Sequence, residues 1–256
     1  ISLGLVGSEM CIRDRLMTRA SVLLASYNGA EYIKEQLESI LNAVGPTDEI
    51  IISDDGSTDS TVNIITGMAE ADSRIRIVKG PGRGVIKNIS SALPLAQGDF
   101  IFLADQDDVW LSDKVDTVLN LFNSHPETTC VLHDMVIVNS SLETQHESYF
   151  SFRQCKTGVL HNFIKNSYVG AAMAFRNIFM DKILPIPDSA PMHDQWIGMI
   201  HELYGKVELC DKQLMLYRRH PGTSTELQHG SISSMLAKRY GLAKSLIQKG
   251  SIRLGS

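Results

Sequence analysis

Cysteines are few in this sequence, and none are closely paired. Cys11, Cys130, Cys155 and Cys210 are far apart, without C-x-x-C pairs or neighbouring histidines at zinc-ligand spacing. Structural zinc and a disulfide framework are therefore both disfavoured. The composition fits a reducing compartment, and we predict a cytoplasmic protein.

The sequence also lacks long apolar runs and an excess of positive charge. No uninterrupted apolar run approaches the ~20 residues that a membrane span needs. The net charge of -5 provides no basic footprint for nucleic acid, so we expect no nucleic-acid partner. With 43% hydrophobic residues, the chain has enough apolar side chains for a substantial core.

The first sixteen residues stand apart from the rest. The stretch "SLGLVGSEMCIRDR" has neither helical nor strand periodicity and resembles translated adaptor read-through. We interpret residues 1–16 as a non-native or disordered leader, with Met17 as the start of the native chain. A natural N-terminal extension is the alternative.

Short apolar runs alternate with helical periods through the first half of the chain. Predicted strands lie in "ASVLLAS", "DEIIISD", "RIRIV" and "DFIFLA", with helices over Glu31–Ala43, from about Ser60, and over Val85–Ala96. This alternation predicts an α/β fold with a Rossmann-like, mostly parallel sheet and helices on both faces.

The second half is less regular but continues the same domain. Strands are predicted in "CVLHDMVIVN", "YVGAAMAFR" and "KQLMLYRRH", and a helix in "DQWIGMIHELYG". We expect one domain over residues 17–228, with halves of about 17–110 and 111–228. Residues 229–256 would add a C-terminal amphipathic helix from about Ser231 to Lys249.

Polar side chains follow three of the predicted strands. They are Ser26, Tyr27 and Asn28 after the first strand, Asp54 and Asp55 after the second, and Asp105, Asp107 and Asp108 after the fourth. In open α/β sheets, ligands bind beyond the carboxyl ends of the strands, so these loops are expected to form one site. For "DDGSTDST", a capped turn without ligand contact is the alternative.

The "ADQDDVW" loop suits a hard cation such as Mg2+ or Mn2+, which prefers carboxylate and phosphate oxygens. An EF-hand is excluded because Trp110 stands where that loop requires glycine. A phosphate-receiver domain is disfavoured because its acid pair follows the first strand, where this chain has "SYN". A solvated acidic turn is the alternative.

Two further stretches could contact the ligand. "GPGRGVIKN" matches neither G-x-G-x-x-G nor a P-loop, but places Lys87 near a helix N-terminus that suits a diphosphate. "YRRHPGTST" contains Arg218, Arg219 and His220 before a Pro-Gly break. It is either a mobile loop that closes on phosphate or a basic surface turn.

The stretch "MHDQW" places His193 and Asp194 just before a helix. An aspartate at this position is often only a helix cap, and that interpretation stays open from the residues alone.

Taken together, "SVLLASYNGAEYIKEQLESIL", "DEIIISDDGSTDST", "GDFIFLADQDDVW" and "MHDQW" resemble, in order and spacing, glycosyltransferase family 2 enzymes of the GT-A fold. "DQDDVW" and "YRRH" resemble most the rhamnosyltransferase-like bacterial branch. The resemblance covers about Ala20 to Thr225. Family members often continue past a point like "SIRLGS", so a truncated C-terminus is an open alternative.

The resemblance implies roles for the candidate residues. Asp107 and Asp105 would hold the metal, and Asp194 would be the catalytic base. His193 stands where the family often has Glu, which leaves acceptor positioning open. The nucleotide would be bound by Ser26, Tyr27, Asn28, Asp54, Asp55, Lys87 and Asp105; the acceptor or diphosphate loop would comprise Trp110, His193, Arg218, Arg219 and His220.

The implied reaction is an inverting sugar transfer from dTDP-rhamnose or a UDP-hexose to a hydroxyl of a cell-surface polysaccharide or lipid-linked glycan. The C-terminal helix could hold the enzyme at the inner face of the membrane. A sugar nucleotidyltransferase is one alternative, although its Gly-rich signature near the first strand is missing. A non-catalytic nucleotide-sugar-binding module is another, and it would tolerate loss of Asp194.

Overall fold

The computed structural model describes residues 20–220 and 232–249. The predicted leader and the "PGTST" segment lie outside these residues. The strands are β1 (Ala20–Ser26), β2 (Glu49–Asp54), β3 (Ile75–Lys79), β4 (Phe100–Ala104), β5 (Val109–Trp110), β6 (Thr128–Asn139), β7 (Thr144–His146), β8 (Met173–Arg176) and β9 (Lys206–Arg219). The α-helices are α1 (Ile33–Ala43), α2 (Thr61–Ala71), α3 (Val85–Ala92), α4 (Lys114–Ser124), α5 (Tyr149–Arg153), α6 (Val159–Ile164), α7 (Met180–Ile183), α8 (His193–Tyr204) and α9 (Ile232–Gln248).

In the described residues these strands form one sheet, in the order β3-β2-β1-β4-β8-β6-β9-β5, with β7 paired to β6. The four strands of the first half are parallel. Next to them, β8 runs antiparallel to both β4 and β6, while β6 and β9 are parallel. The predicted α/β architecture is confirmed, and its first half is the parallel sheet that the alternating pattern indicated.

The core lies on both faces of the first-half sheet. Every residue of β2 and of β4 is buried, whichever face it points to. Helix α1 buries Ile33, Leu37 and Ile40, which recur at helical spacing. Because parallel strands covered on both faces are apolar throughout, the short unbroken apolar runs of the sequence are explained by this packing.

Several predicted boundaries were wrong. The helix predicted to reach Ala96 ends at Ala92 and is followed by a 3-10 turn over Leu93–Leu95, because Pro94 has no N–H for a further α-helical bond. In "YVGAAMAFR" only Met173–Arg176 is a strand. The strand predicted in "KQLMLYRRH" is longer and begins at Lys206.

Helix α9 agrees with the predicted C-terminal helix to within two residues. Among the described helices, none combines the length and apolarity needed to cross a bilayer.

Candidate active site

The first two loops at the carboxyl edge of the sheet are tied together by Asp54. Ser26 and Asp54 are paired across β1 and β2, and Ser26 Oγ donates to Asp54 Oδ2 at 2.9 Å. Asp54 Oδ1 accepts from the backbone N–H of Gly56 and of Ser57. Asp54 therefore shapes the turn after β2, a positioning role that its predicted nucleotide contact did not anticipate.

Asn28 is the second link between these loops. It adopts a left-handed φ of 48°, which asparagine tolerates better than most residues. Its N–H donates to Ser57 Oγ at 2.8 Å, and its Oδ1 accepts from the Thr58 N–H at 2.8 Å. The Asn28 side chain is thus engaged by the protein, whereas the neighbouring Tyr27 ring is exposed.

Asp55 holds the glycine loop that precedes α3. Its Oδ1 accepts from the Gly82 N–H and its Oδ2 from the Gly84 N–H, each at 2.7 Å. The sequence suggested that this helix N-terminus suits a diphosphate. The Gly82 and Gly84 amides are not free for one, because the buried Asp55 carboxylate already accepts from both.

Gln106 connects the metal-candidate loop to the first loop. Its Oε1 accepts from the Tyr27 N–H at 2.9 Å, and its Nε2 donates to the Tyr27 carbonyl at 3.0 Å. The amide lies so close to Gly29 that a Cβ there would be 2.2 Å from Oε1. A side chain at position 29 would therefore displace the Gln106 amide from its two bonds with Tyr27.

The three carboxylates after β4 differ in environment. Burial raises the pKa of Asp105 to about 7, and the negative charges of Asp107 and Asp194 add to the shift. Asp108 is fully buried; burial raises its pKa well above the ordinary value, with Asp107 and Asp105 adding to the shift. Within the described residues, Asp108 Oδ2 accepts no hydrogen bond. Burial and mutual repulsion thus favour the neutral form of these two carboxyl groups, and a bound cation would shift them towards the ionised form.

Lys114, which sequence reasoning missed, is buried beneath this loop. Its Nζ donates to the Ala171 carbonyl at 2.8 Å and lies 3.7 Å from the centroid of the Trp110 ring. Burial lowers the pKa of Lys114, while the charges of Asp108 and Asp105 oppose that shift. One cation thus joins the acidic loop to the segment before β8.

Arg218 is part of the scaffold of the acidic loop. It is buried, and its N–H donates to Asp108 Oδ1 at 3.0 Å while its Nε donates to the Asp107 carbonyl at 2.8 Å. Its two terminal nitrogens donate to Ser140 O and to the Glu35 carboxylate. The basic surface turn considered for "YRRH" is therefore wrong for Arg218, which these contacts hold inside the protein.

His220 lies beside the predicted metal ligand. Its Nε2 is 2.9 Å from Asp107 Oδ2, and its ring packs on Tyr32 with centroids 4.7 Å apart. Arg219 points the other way and donates to the Tyr217 hydroxyl at 3.1 Å. The His220 ring thus contacts the Asp107 carboxylate, whereas the Arg218 guanidinium bonds the Asp107 carbonyl.

Asp194 lies in the first turn of α8 and is largely buried. Its Oδ2 accepts from the Gly170 N–H at 3.1 Å and its Oδ1 from the Gln195 N–H at 2.6 Å. Burial raises the pKa of Asp194, although the neighbouring His193 lowers it in part. Burial also lowers the pKa of His193, so its ring is neutral near pH 7. A carboxylate with a raised pKa is a better proton acceptor than an ordinary aspartate.

Two predicted contact residues lie elsewhere. Trp110 is buried in β5 and packs on Phe102, so its expected place in the acceptor or diphosphate loop was wrong. From the sequence, a tryptophan beside a charged loop can either contact the ligand or belong to the hydrophobic core. Its burial becomes evident only when α1 and β9 are packed around it. Lys87 forms an ion pair with the exposed Asp188, on the acceptor side of the sheet.

The donor set fits a divalent cation held jointly by protein and ligand. In residues 20–220 and 232–249, no three His, Cys, Asp or Glu side chains form a complete metal site. Asp107 and Asp105 carry hard carboxylate oxygens, and a cation there would need diphosphate oxygens to complete its shell. Mg2+ and Mn2+ are commonly bound in this way.

The residues that sequence reasoning missed are Lys114, Gln106 and Glu35. Lysine, glutamine and glutamate are usually exposed, so their types carried no signal. The only available hint was position, since Gln106 stands between Asp105 and Asp107 and Lys114 follows shortly after them.

Comparison with known proteins identifies the family. The model of "Glycosyl transferase family 2" matches residues 21–183. An uncharacterised protein of Mycobacterium tuberculosis is 28% identical over 211 residues, covering 78% of this chain and 58% of the relative. The chain thus spans less than two thirds of that relative's length.

Solved structures show the same fold at low identity. S. aureus TarS 1-349 in complex with UDP-GlcNAc matches with a TM-score of 0.70 and 20% identity, covering 90% of this chain and 66% of the TarS 1-349 chain. The mannosyltransferase PcManGT from Pyrobaculum calidifontis, in complex with GDP-Man and Mn2+, matches with a TM-score of 0.60 and 15% identity, covering 98% and 83%. These similarities confirm the predicted GT-A fold. Because the family model covers more than half of the chain, the protein belongs to glycosyl transferase family 2.

Proposed function

We propose that the protein transfers a sugar, with inversion, from a nucleoside-diphosphate donor to a hydroxyl of a cell-surface polysaccharide or lipid-linked glycan. The observation that carries the proposal is the closeness of Asp194 to the acidic loop. Asp194 Oδ2 accepts from the Gly170 N–H, and Lys114 of the helix that follows the acidic loop donates to the carbonyl of the next residue, Ala171. These contacts support our assignment of the base and the metal-candidate loop to one site.

The chemistry follows from this arrangement. The acceptor oxygen attacks the anomeric carbon on the face opposite the diphosphate, and the bond from that carbon to the diphosphate oxygen breaks. Asp194 takes the proton of the attacking hydroxyl. The transition state has the oxocarbenium character seen in glycoside hydrolysis. A divalent cation at Asp107 and Asp105 would offset the charge that develops on the leaving diphosphate.

The remaining residues would bind and orient the donor. The exposed Tyr27 ring, at the edge beside Asn28, is suited to pack against the base. Each oxygen of Asp55 accepts one hydrogen bond and keeps a lone pair for the base or ribose. Because His220 already lies against Asp107, we assign it to the diphosphate side of the site.

The donor sugar is proposed from resemblance and from neighbours. dTDP-rhamnose is the first candidate and UDP-hexoses are the second. The nucleotide sugars named for the structural neighbours, UDP-GlcNAc and GDP-Man, complete the panel. We place the reaction in the cytoplasm, at the inner face of the membrane.

The test is a calorimetric titration of this donor panel into the full chain, with and without Mn2+. We expect one donor to bind, and to bind more tightly with the metal. If a folded sample binds none of the donors under either condition, the transferase proposal fails. If the donor binds equally well with and without Mn2+, the proposal keeps the transferase activity but loses the metal ion.

A further inference from the structure

Two helices on the acceptor side of the molecule expose apolar side chains. In α6, the side chains of Leu160 and Ile164 are 73% and 55% exposed. In α9, Leu236, Tyr240 and Ile247 are 57%, 73% and 43% exposed. The spacing of four places each residue pair, 160 with 164 and 236 with 240, on one helix face.

The two helices lie side by side. Arg239 of α9 donates to the Ile164 carbonyl at the end of α6, at 2.7 Å. On its other side α9 is anchored, because Leu242 and Leu246 are buried and Ser245 Oγ is 2.8 Å from Ser189 Oγ. The exposed residues Leu160, Ile164, Leu236, Tyr240 and Ile247 therefore form one surface, named here the α6–α9 surface.

The charge around this surface is unlike that of the rest of the chain. The whole chain has 29 acidic residues and a net charge of -5, yet residues 148–180 and 227–256 contain no Asp or Glu. Lys156 and Lys244 are exposed, and Lys165 and Arg239 are partly exposed. Exposed apolar side chains bordered by basic ones complement an anionic lipid surface; the nearby acids Asp181 and Asp188 belong to the segment that packs beside the C-terminal half of α9.

The surface is also linked to the candidate base. Gln195, the residue after Asp194, donates from Nε2 to the Asn162 carbonyl in α6 at 3.0 Å. Leu160 and Ile164 flank Asn162 on the same short helix. A bilayer that contacts α6 would thus lie against the element that bonds the residue after Asp194.

We propose that the α6–α9 surface docks on an anionic bilayer, with the apolar side chains in the headgroup region and the basic ones on lipid phosphates. The inference rests on the proposed function in that it assigns a membrane-borne acceptor to that site. Lysine stems can lie along the interface while their ammonium groups reach the phosphates. Tyr240 suits this boundary because its ring is apolar and its hydroxyl polar.

The test is co-sedimentation of the full chain with vesicles of phosphatidylcholine alone or with phosphatidylglycerol added. Each basic residue near an anionic surface contributes about fivefold in affinity, so we expect at least about tenfold tighter binding to the anionic vesicles. Salt at 1 M should release the protein, because screening is then nearly complete.

The double variant Leu160→Gln/Tyr240→Gln should lower the partition onto anionic vesicles by about tenfold, as expected for the loss of two buried apolar groups. Ile178→Gln is the matched control. Ile178 is 53% exposed and lies outside α6 and α9, and its neighbour Asn177 donates to the Gly98 carbonyl before β4. This control should bind like the unmodified chain.

Donor binding by calorimetry, on the same samples, separates this proposal from the proposed function. If donor binding is intact but anionic vesicles bind no better than neutral ones, or the double variant binds like the unmodified chain, the membrane proposal is overturned. It is also overturned if light scattering shows a dimer that the double variant abolishes, since a second copy would then cover the surface.

Discussion

His220 Nε2 lies 2.9 Å from Asp107 Oδ2, which brings the end of β9 against the acidic loop that follows β4. The contact joins residues 113 positions apart and places the Asp107 carboxylate against the imidazole of His220. By contrast, the next residue, Asp108, is fully buried and accepts from the Arg218 N–H.

This difference predicts unequal effects of two adjacent substitutions. Asp107→Asn should weaken Mn2+-dependent donor binding by at least about tenfold, the loss seen even when a partner of a metal ligand is removed. Asp108→Asn, the matched control, should change donor affinity less, because its carboxylate is internal. Calorimetric titration of both variants is the measurement. Equal losses would contradict the assignment of Asp107 as the metal ligand.

Asp194→Asn should lower the transfer rate by about 10²- to 10⁴-fold, because it removes the group that accepts the acceptor proton. Donor affinity should stay near that of the unmodified chain. Sugar transfer and donor binding are measured separately on one preparation. Asp181→Asn, which alters an exposed carboxylate, should leave both unchanged. Full transfer by Asp194→Asn would instead support the non-catalytic binding module.

The pH dependence of transfer should report Asp194. Burial raises its pKa, and the base must be ionised, so activity should fall as the pH drops through a value above the ordinary aspartate range near 3.9. The measurement is kcat/KM from pH 4 to 9 at saturating Mn2+. Donor binding in the same buffers identifies any loss that comes from Asp105. A kcat/KM that stays constant down to pH 4 would show that Asp194 is not a buried base.

Lys114 and Asp108 should be energetically coupled. Lys114→Met leaves the Ala171 carbonyl without its donor and removes the charge that favours ionisation of Asp108 and Asp105, so it should lower the free energy of unfolding by about 1–3 kcal/mol. Adding Asp108→Asn removes one of these carboxyl groups, so the double variant should be less destabilised than the sum of the single variants. Denaturant unfolding of all four proteins measures the coupling. Simple additivity would mean that Lys114 does not balance Asp108.

His201 should make folding sensitive to acid. Burial lowers its pKa to about 3, from an ordinary value near 6.5 in the unfolded chain. Between these values the unfolded state binds one more proton, so stability falls as the pH falls, by up to about 1.4 kcal/mol per pH unit.

His201→Phe should reduce that slope while keeping the ring contacts with Phe175 and Phe179. Unfolding curves from pH 7 to 4 provide the comparison. Replacing the exposed His146 with Gln should leave the slope unaltered. An unchanged slope in His201→Phe would show that His201 does not cause the loss of stability at acid pH.

The sequence by itself determined the order of strands and helices in the first half and the place of the acidic loops. Buried parallel strands need unbroken apolar runs, and helices need apolar residues at a spacing of three to four. Both patterns can therefore be recognised from residues that are close in sequence. The carboxylates at the ends of β2 and β4 follow from the same pattern, because strand ends of a parallel sheet meet at one edge.

Only the tertiary structure decided what each polar side chain does there. Arg218 bonds Glu35, 183 positions away, Asp55 holds the glycine loop, and Lys114 and Trp110 are buried. Residue type favours exposure for Arg and Lys, yet burial with good partners overrides that tendency. Those partners come from distant strands and helices, and their approach is set by packing of the whole sheet, which local periodicity does not encode.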